Sequence, residues 1–306
     1  MAQSDGVPVV PMRGKKKHLK DDDLFACTFT DGKTYKVPWR DVKLLFVDPP
    51  SKWHIKDLTG GNLPVANVDA VFAMDGTELS GKAATFTVQP GQEVIIFGND
   101  VRYNQRGQDT TCNWNFGDQT DTKNQTMWDD MFPHNLNFNG DIQHLDITEK
   151  AFNISYMFSG CQKFNQPVGH FNTVNCNNIK CAFQVHGGTT ATTAFNQDIK
   201  WDTSNCQDIT GLTTAQRFFD GTVEFTSVSK VKKAINSFTD NDSFTGKGNM
   251  ASWKTPEAER MDGMYRNCPR ANLDLRQWCV PKIGSAPPDF NKNSPGINSP
   301  VWGTCP

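Results

Sequence analysis

The sequence predicts a repeat solenoid of about 25 residues per turn, preceded by a small β-rich module. Three observations carry this expectation. The first is a two-part word: "MFSGCQKFNQPV" (157–168) places Phe164 seven residues after Met157, and "MFPHNLNFNGDI" places Phe138 seven after Met131. The second is its recurrence, with copies starting at Met131, Met157, Ala182, Leu212, Ser237 and Met264, at spacings of 26, 25, 30, 25 and 27. The third is composition. Only 37% of residues are hydrophobic and mean hydropathy is −0.56, yet there are 21 Phe and 8 Trp, which suits a thin core of regularly placed aromatics.

In chain order, residues 1–20 read as a flexible basic tail carrying "RGKKKHLK", and Asp21-Asp22-Asp23 marks the start of structure. Residues 21–100 read as a β-rich module. "LFACTFT" and "TYKVPW" flank the turn signal Asp31-Gly32, and "VKLLFV" follows as a strand or short helix. Further short strands are separated by Asp75-Gly76, Gly81 and Pro90-Gly91. A polar stretch leads into the array over 105–280, and 281–306 closes it as a cap.

Within the array the rungs are Met131, Phe138, Met157, Phe158, Phe164, Phe183, Phe195, Phe219, Phe244 and Met264. A third anchor per copy adds Leu145, Phe171, Trp201, Phe225, Trp253 and Trp278. One turn cannot bury these side chains alone, so neighbouring turns must stack. Asn and Thr at fixed offsets are expected to satisfy the turn backbone. The third copy reaches Phe195 only after thirteen residues, and its "GGTTATT" insertion reads as a surface loop.

These words resemble the BspA-like leucine-rich-repeat surface proteins, most closely in "FNQDIKWDTSNC" (195–206) and "YMFSGCQKFNQPV" (156–168). The resemblance covers about residues 105–306 and implies a leucine-rich-repeat-like turn of short strands plus short helical turns. The copies at 212 and 237 depart from the pattern, the first by losing Met-Phe and the second by lengthening its turn in "FTGKGNMASW". The front end, "DDDLFACTFTDGKTYKVPWRDVKLLF" (21–46), resembles the opening of structural proteins of phages that infect marine bacteria.

Together these resemblances imply a non-enzymatic bacteriophage virion structural protein, a capsid decoration, knob or tail-fibre component made in the host cytoplasm and released by lysis. Its N-terminal module would dock onto other capsid or tail proteins, and the array would meet host surface glycans or proteins. A bacterial cell-surface adhesin of the same repeat family is the alternative, with a polysaccharide-degrading tailspike behind it. Cys279 and Cys305, which flank the cap, are the expected disulfide in that oxidising setting.

Little else is expected. The net charge of −2 gives no field for nucleic acid. No apolar run is long enough for membrane insertion, and the N-terminus lacks the apolar stretch of a signal peptide. Nine cysteines cannot all pair, and those at equivalent repeat positions (Cys176 with Cys206, Cys161 with Cys268) read as small buried residues. Six scattered histidines offer no metal spacing, and no nucleophile or phosphate-loop motif occurs. No cofactor, metal site or catalytic residue is expected.

Overall fold

The computed structural model describes residues 50–99, 101–103, 110–185 and 193–306, and the backbone of two short strands nearer the N-terminus. The expected basic tail, the "VKLLFV" segment and most of the "GGTTATT" loop lie outside the described residues. Strands β1 (Leu24–Thr28) and β2 (Thr34–Pro38) pair antiparallel, Leu24 opposite Pro38 and Thr28 opposite Thr34.

The next strands are β3 (Lys52–Thr59), β4 (Leu63–Val68), β5 (Ala70–Ala73), β6 (Glu78–Ser80), β7 (Ala83–Val88), β8 (Val94–Phe97), β9 (Arg102–Tyr103) and β10 (Asn113–Phe116). They form an antiparallel five-stranded sheet, β10-β3-β8-β5-β6, and a three-stranded one, β7-β4-β9. Asp75-Gly76 turns β5 into β6, with Gly76 at φ 87° and the Asp75 carboxylate accepting the Thr77 amide at 2.9 Å. Val94, Ile95 and Ile96 of β8 are all buried, as befits a central strand.

The expected fold class, a leucine-rich-repeat-like solenoid with short helical turns, is corrected here. Among the described residues there is no α-helix, only one 3-10 turn at Met250–Ser252, and the sheets are several and small. Strand pairing within the repeats is confined to β11 (Ile199–Trp201) with β12 (Val223–Phe225), and β13 (Leu273–Asp274) with β14 (Ile297–Asn298), both parallel. The physical reason lies in the Met-Phe words. Five of the six are bracketed by residues of left-handed backbone four positions apart, such as Tyr156 and Gly160 (φ 57° and 79°), Asn236 and Asp240 (54° and 60°), and Gly263 and Asn267 (60° and 56°), and the third is preceded by Cys181 at 54°. A right-handed helix cannot pass through such positions.

The amides instead turn outward to the next copy. Phe132 N donates to Met157 O at 2.9 Å, Phe158 N to Ala182 O at 2.9 Å, Phe183 N to Leu212 O at 3.0 Å, and Thr213 N to Ser237 O at 2.9 Å. The run continues with Phe238 N to Met264 O at 2.9 Å and Tyr265 N to Phe290 O at 2.8 Å. The segment expected as a cap thus repeats the turn once more at Phe290. Isolated parallel bridges link Met127, Asn153, Asn178, Asp208, Lys233 and Arg260 in succession.

Every predicted rung is buried. Phe138, Phe164, Phe195, Phe219 and Phe244 form one column, with successive ring centroids 5.8 to 6.0 Å apart and planes within 15°. Phe132, Phe158 and Phe183 form a second, interrupted where the fourth copy has Thr213 and resumed by Phe238 and Tyr265. The N-terminal sheets seat on the first turn through Tyr103, stacked on Phe132 at 5.6 Å, and Trp114, 4.5 Å from Phe138. One hydrophobic core therefore runs from Trp53 to Ile297.

Candidate functional site: the asparagine face

Phe-Asn-Gln and its variants follow each buried ring with an outward polar residue. Asn113, Asn139, Asn165, Asn196, Asp220 and Thr245 hold equivalent places, and their side chains form a ladder. Each Oδ1 accepts the backbone amide of the equivalent residue one turn on: Asn139 N to Asn113 at 2.8 Å, Asn165 N to Asn139 at 2.8 Å, and Asn196 N to Asn165 at 2.9 Å. Asp220 N to Asn196 at 2.7 Å and Thr245 N to Asp220 at 2.9 Å complete it. Two residues on, Asn115 accepts Asp141 N at 2.9 Å and Asp198 accepts Thr222 N at 2.8 Å. These amides would otherwise have no strand partner.

On the same stretch of chain lies a shallow depression of about 330 Å³. It is lined by Lys200, Trp201, Asp202, Glu224, Phe225, Thr226 and Asn249, with the rings of Trp201 and Phe225 buried in the core. Lys200 Nζ lies 3.2 Å from Asp198 and 3.9 Å from Glu224, all three about half exposed. Asn249 ends the short sheet: its Nδ2 donates to Phe225 O at 2.8 Å, and its Oδ1 accepts Phe225 N at 3.2 Å and Trp253 Nε1 at 2.9 Å. A side-chain amide thus replaces the strand that the long "FTGKGNMASW" turn does not supply. The Thr222 amide, helped by Lys200, holds the Asp198 carboxyl below the usual carboxylate range.

Inside the stack a polar column was only partly legible. Cys161 and Cys268 share their offset with Asn135, Gln216, Asn241 and Ser294, all buried. Their side chains donate inward: Cys161 Sγ to Phe132 O at 3.0 Å, Gln216 Nε2 to Phe183 O at 2.5 Å, Cys268 Sγ to Phe238 O at 2.9 Å, and Asn241 Nδ2 to Thr213 Oγ1 at 3.0 Å. The hydroxyls of Thr173, Thr203 and Thr255 reach Asp202 O, Ser227 O and Cys279 O in the same manner.

Cys112, Cys161, Cys176, Cys181, Cys206 and Cys268 are buried free thiols, and Cys279 is bonded to Cys305 across one repeat of 26 residues. Of the histidines, His170 is exposed and lies against Phe171, ring centroids 4.6 Å apart. His54 sits buried in β3, with Nε2 2.7 Å from Glu93 and Nδ1 3.6 Å from Asp118. Nothing in its sequence neighbourhood marked it. No group of three His, Cys, Asp or Glu suited to a metal occurs among the described residues, and none of their helices could cross a membrane.

Searches of curated proteins and of solved structures found no significant match. The family described as "Mycoplasma protein of unknown function, DUF285" matches residues 107–200 and 188–299, which together span the stacked turns and more than half of the chain. The repeat words, their inter-turn bonding and that match agree on the same residues, and the chain belongs to the DUF285 family.

Proposed function

We propose that the protein is a non-enzymatic surface-attachment component, a virion structural protein whose N-terminal module docks on the capsid or tail and whose stacked turns meet the host. The observation that carries the reading is the asparagine face. Polar side chains recur on successive turns, each held by its bond to the neighbouring turn. Weak contacts repeated along such a face, or over many copies on a particle, sum to useful avidity. The Cys279–Cys305 bond in the last turn suits a protein at work in an oxidising medium.

The second reading, a bacterial cell-surface adhesin, is favoured by the description of the family as a Mycoplasma protein. Sedimenting nuclease-treated particles from a lysate and labelling them with an antibody against residues 105–306 separates the two. Discrete label on capsid or tail is expected for the virion protein. Label confined to unlysed cells selects the adhesin, and label on neither removes the attachment reading.

A further inference from the structure

We propose that His54 is a pH-sensitive latch at the junction of the N-terminal sheet and the first stacked turn, closed between Glu93 and Asp118 when its ring carries a proton and held by Glu93 alone when it does not. The inference is independent of the attachment reading.

The seat of the ring is built from both sides. His54 lies on β3 with its side chain 4% exposed, on the face opposite Trp53 and Ile55. From the turn between β7 and β8, Glu93 sets Oε1 2.7 Å from Nε2. From the turn after β10, Asp118 sets Oδ1 3.6 Å from Nδ1. Gly117 gives the ring its room, since a Cβ there would lie 2.0 Å from Nδ1. That turn is stapled to β3: Gly117 N donates to His54 O at 2.9 Å, His54 N to Thr120 Oγ1 at 3.2 Å, and Lys52 and Asp121 exchange two backbone bonds at 2.8 Å. The chain then enters the first stacked turn, where Thr122 Oγ1 accepts Asp146 N at 2.8 Å. The ring therefore touches the segment that carries the chain from sheet to stack.

This geometry makes the charge of the ring matter. A neutral imidazole has one N–H and one lone pair. With its N–H on Nε2 it bonds Glu93, and the Nδ1 lone pair, buried and without a hydrogen-bond partner, faces the Asp118 carboxylate. A buried acceptor left unpaired in this way is costly. A protonated ring donates at both ends, and a movement of less than about 1 Å brings Asp118 within bonding range. Lys52 and Lys56, two positions to either side along β3, share the ring's face and oppose the added charge. Lys52 is engaged by Asp121 and Asp118, so Glu93, Asp118 and Asp121 together outweigh the two ammonium groups. Histidine changes charge between about pH 5 and pH 8. The proton-bound latch is the tighter form, so its contribution is complete at the acid end of that window, where both carboxylates are still ionised, and is lost as pH rises through it.

The test compares the full chain with its Asp118→Asn variant, which should still fold because Asp118 is mostly exposed. Nitrogen-15 spectra of the His54 ring, assigned through its bonds to the backbone, are read at about pH 8 and about pH 5.5, the two sides of the histidine range. Amide exchange, corrected for its intrinsic pH dependence, reads the turn. On acidification the ring should pass from one N–H to two, and protection of the Gly117 and Asp121 amides, both bonded to β3, should rise by about threefold or more. In Asp118→Asn that rise should be absent. A ring of unchanged protonation across the two conditions, protection that does not rise, or an equal rise in Asp118→Asn would overturn the inference.

Discussion

Phe164→Ala tests the stacked core directly. The Phe164 ring is 1% exposed and lies 3.9 Å from Phe158 within its own turn. It is 6.0 Å from Phe138 and 5.9 Å from Phe195 on the two neighbouring turns, and 6.3 Å from Phe183. Truncating a buried Phe costs about 3–5 kcal/mol. Aromatic pairs add about 0.5–1.5 kcal/mol each beyond area burial, and this ring is sandwiched on both sides, so the upper half of the range is expected. Asn165 follows immediately, and a sagging turn would also loosen its bonds to Asn139 and Asn196. Urea unfolding gives the total, and amide exchange gives its distribution. The amides of Phe132, Phe158 and Phe183, which bridge the affected turns, should lose most protection, while Phe238 and Tyr265, three and four turns away, change least. An unchanged urea midpoint, or equal loss of protection at Phe132 and Tyr265, would refute the nearest-neighbour account.

Asn165→Ala removes the acceptor for Asn196 N and Gln197 Nε2 and should cost about 0.5–1.5 kcal/mol by urea titration, since water reaches this half-buried site. Asn165→Asp should be close to neutral, because Asp220 already serves at the equivalent place. Gly140→Ala would set a Cβ 1.4 Å from Trp114 O, so the turn must shift; thermal melting should show at least the roughly 1–3 kcal/mol of overpacking. Reducing Cys279–Cys305 should lower stability by roughly 2–4 kcal/mol and expose the last turn to protease. Burial pushes the Cys176, Cys206 and Cys268 thiols up to about 12 and Cys181 to about 11, so a disulfide reagent at pH 8 should modify them only after denaturation. Asp198, held below its ordinary range, contributes stability that is complete above the unfolded-state carboxylate value and is lost as pH falls through the folded one. Asp198→Asn should therefore flatten the fall of the urea midpoint on acidification, and an equally steep fall would remove that assignment.

The repeat itself was legible in the linear order of residues because the Met-Phe and Phe-Asn words recur at nearly constant spacing, whereas the leucine-rich-repeat-like solenoid class drawn from it was not what formed. The rungs from Met131 to Trp278, the buried cysteines at equal offsets and the turns at Asp75-Gly76 and Pro90-Gly91 all follow from that local pattern. The helical turns did not survive, because backbone handedness at Tyr156, Ala215 or Asn267 depends on where each amide finds its acceptor, and that acceptor lies about 25 residues away. Tyr103 and Trp114 became rungs for the same reason: they precede the first word, and only packing against Phe132 and Phe138 reveals them. The asparagines announced themselves as polar and turn-forming. Their alignment into one ladder required the turns to be stacked, since each bond joins residues that no sequence neighbourhood contains.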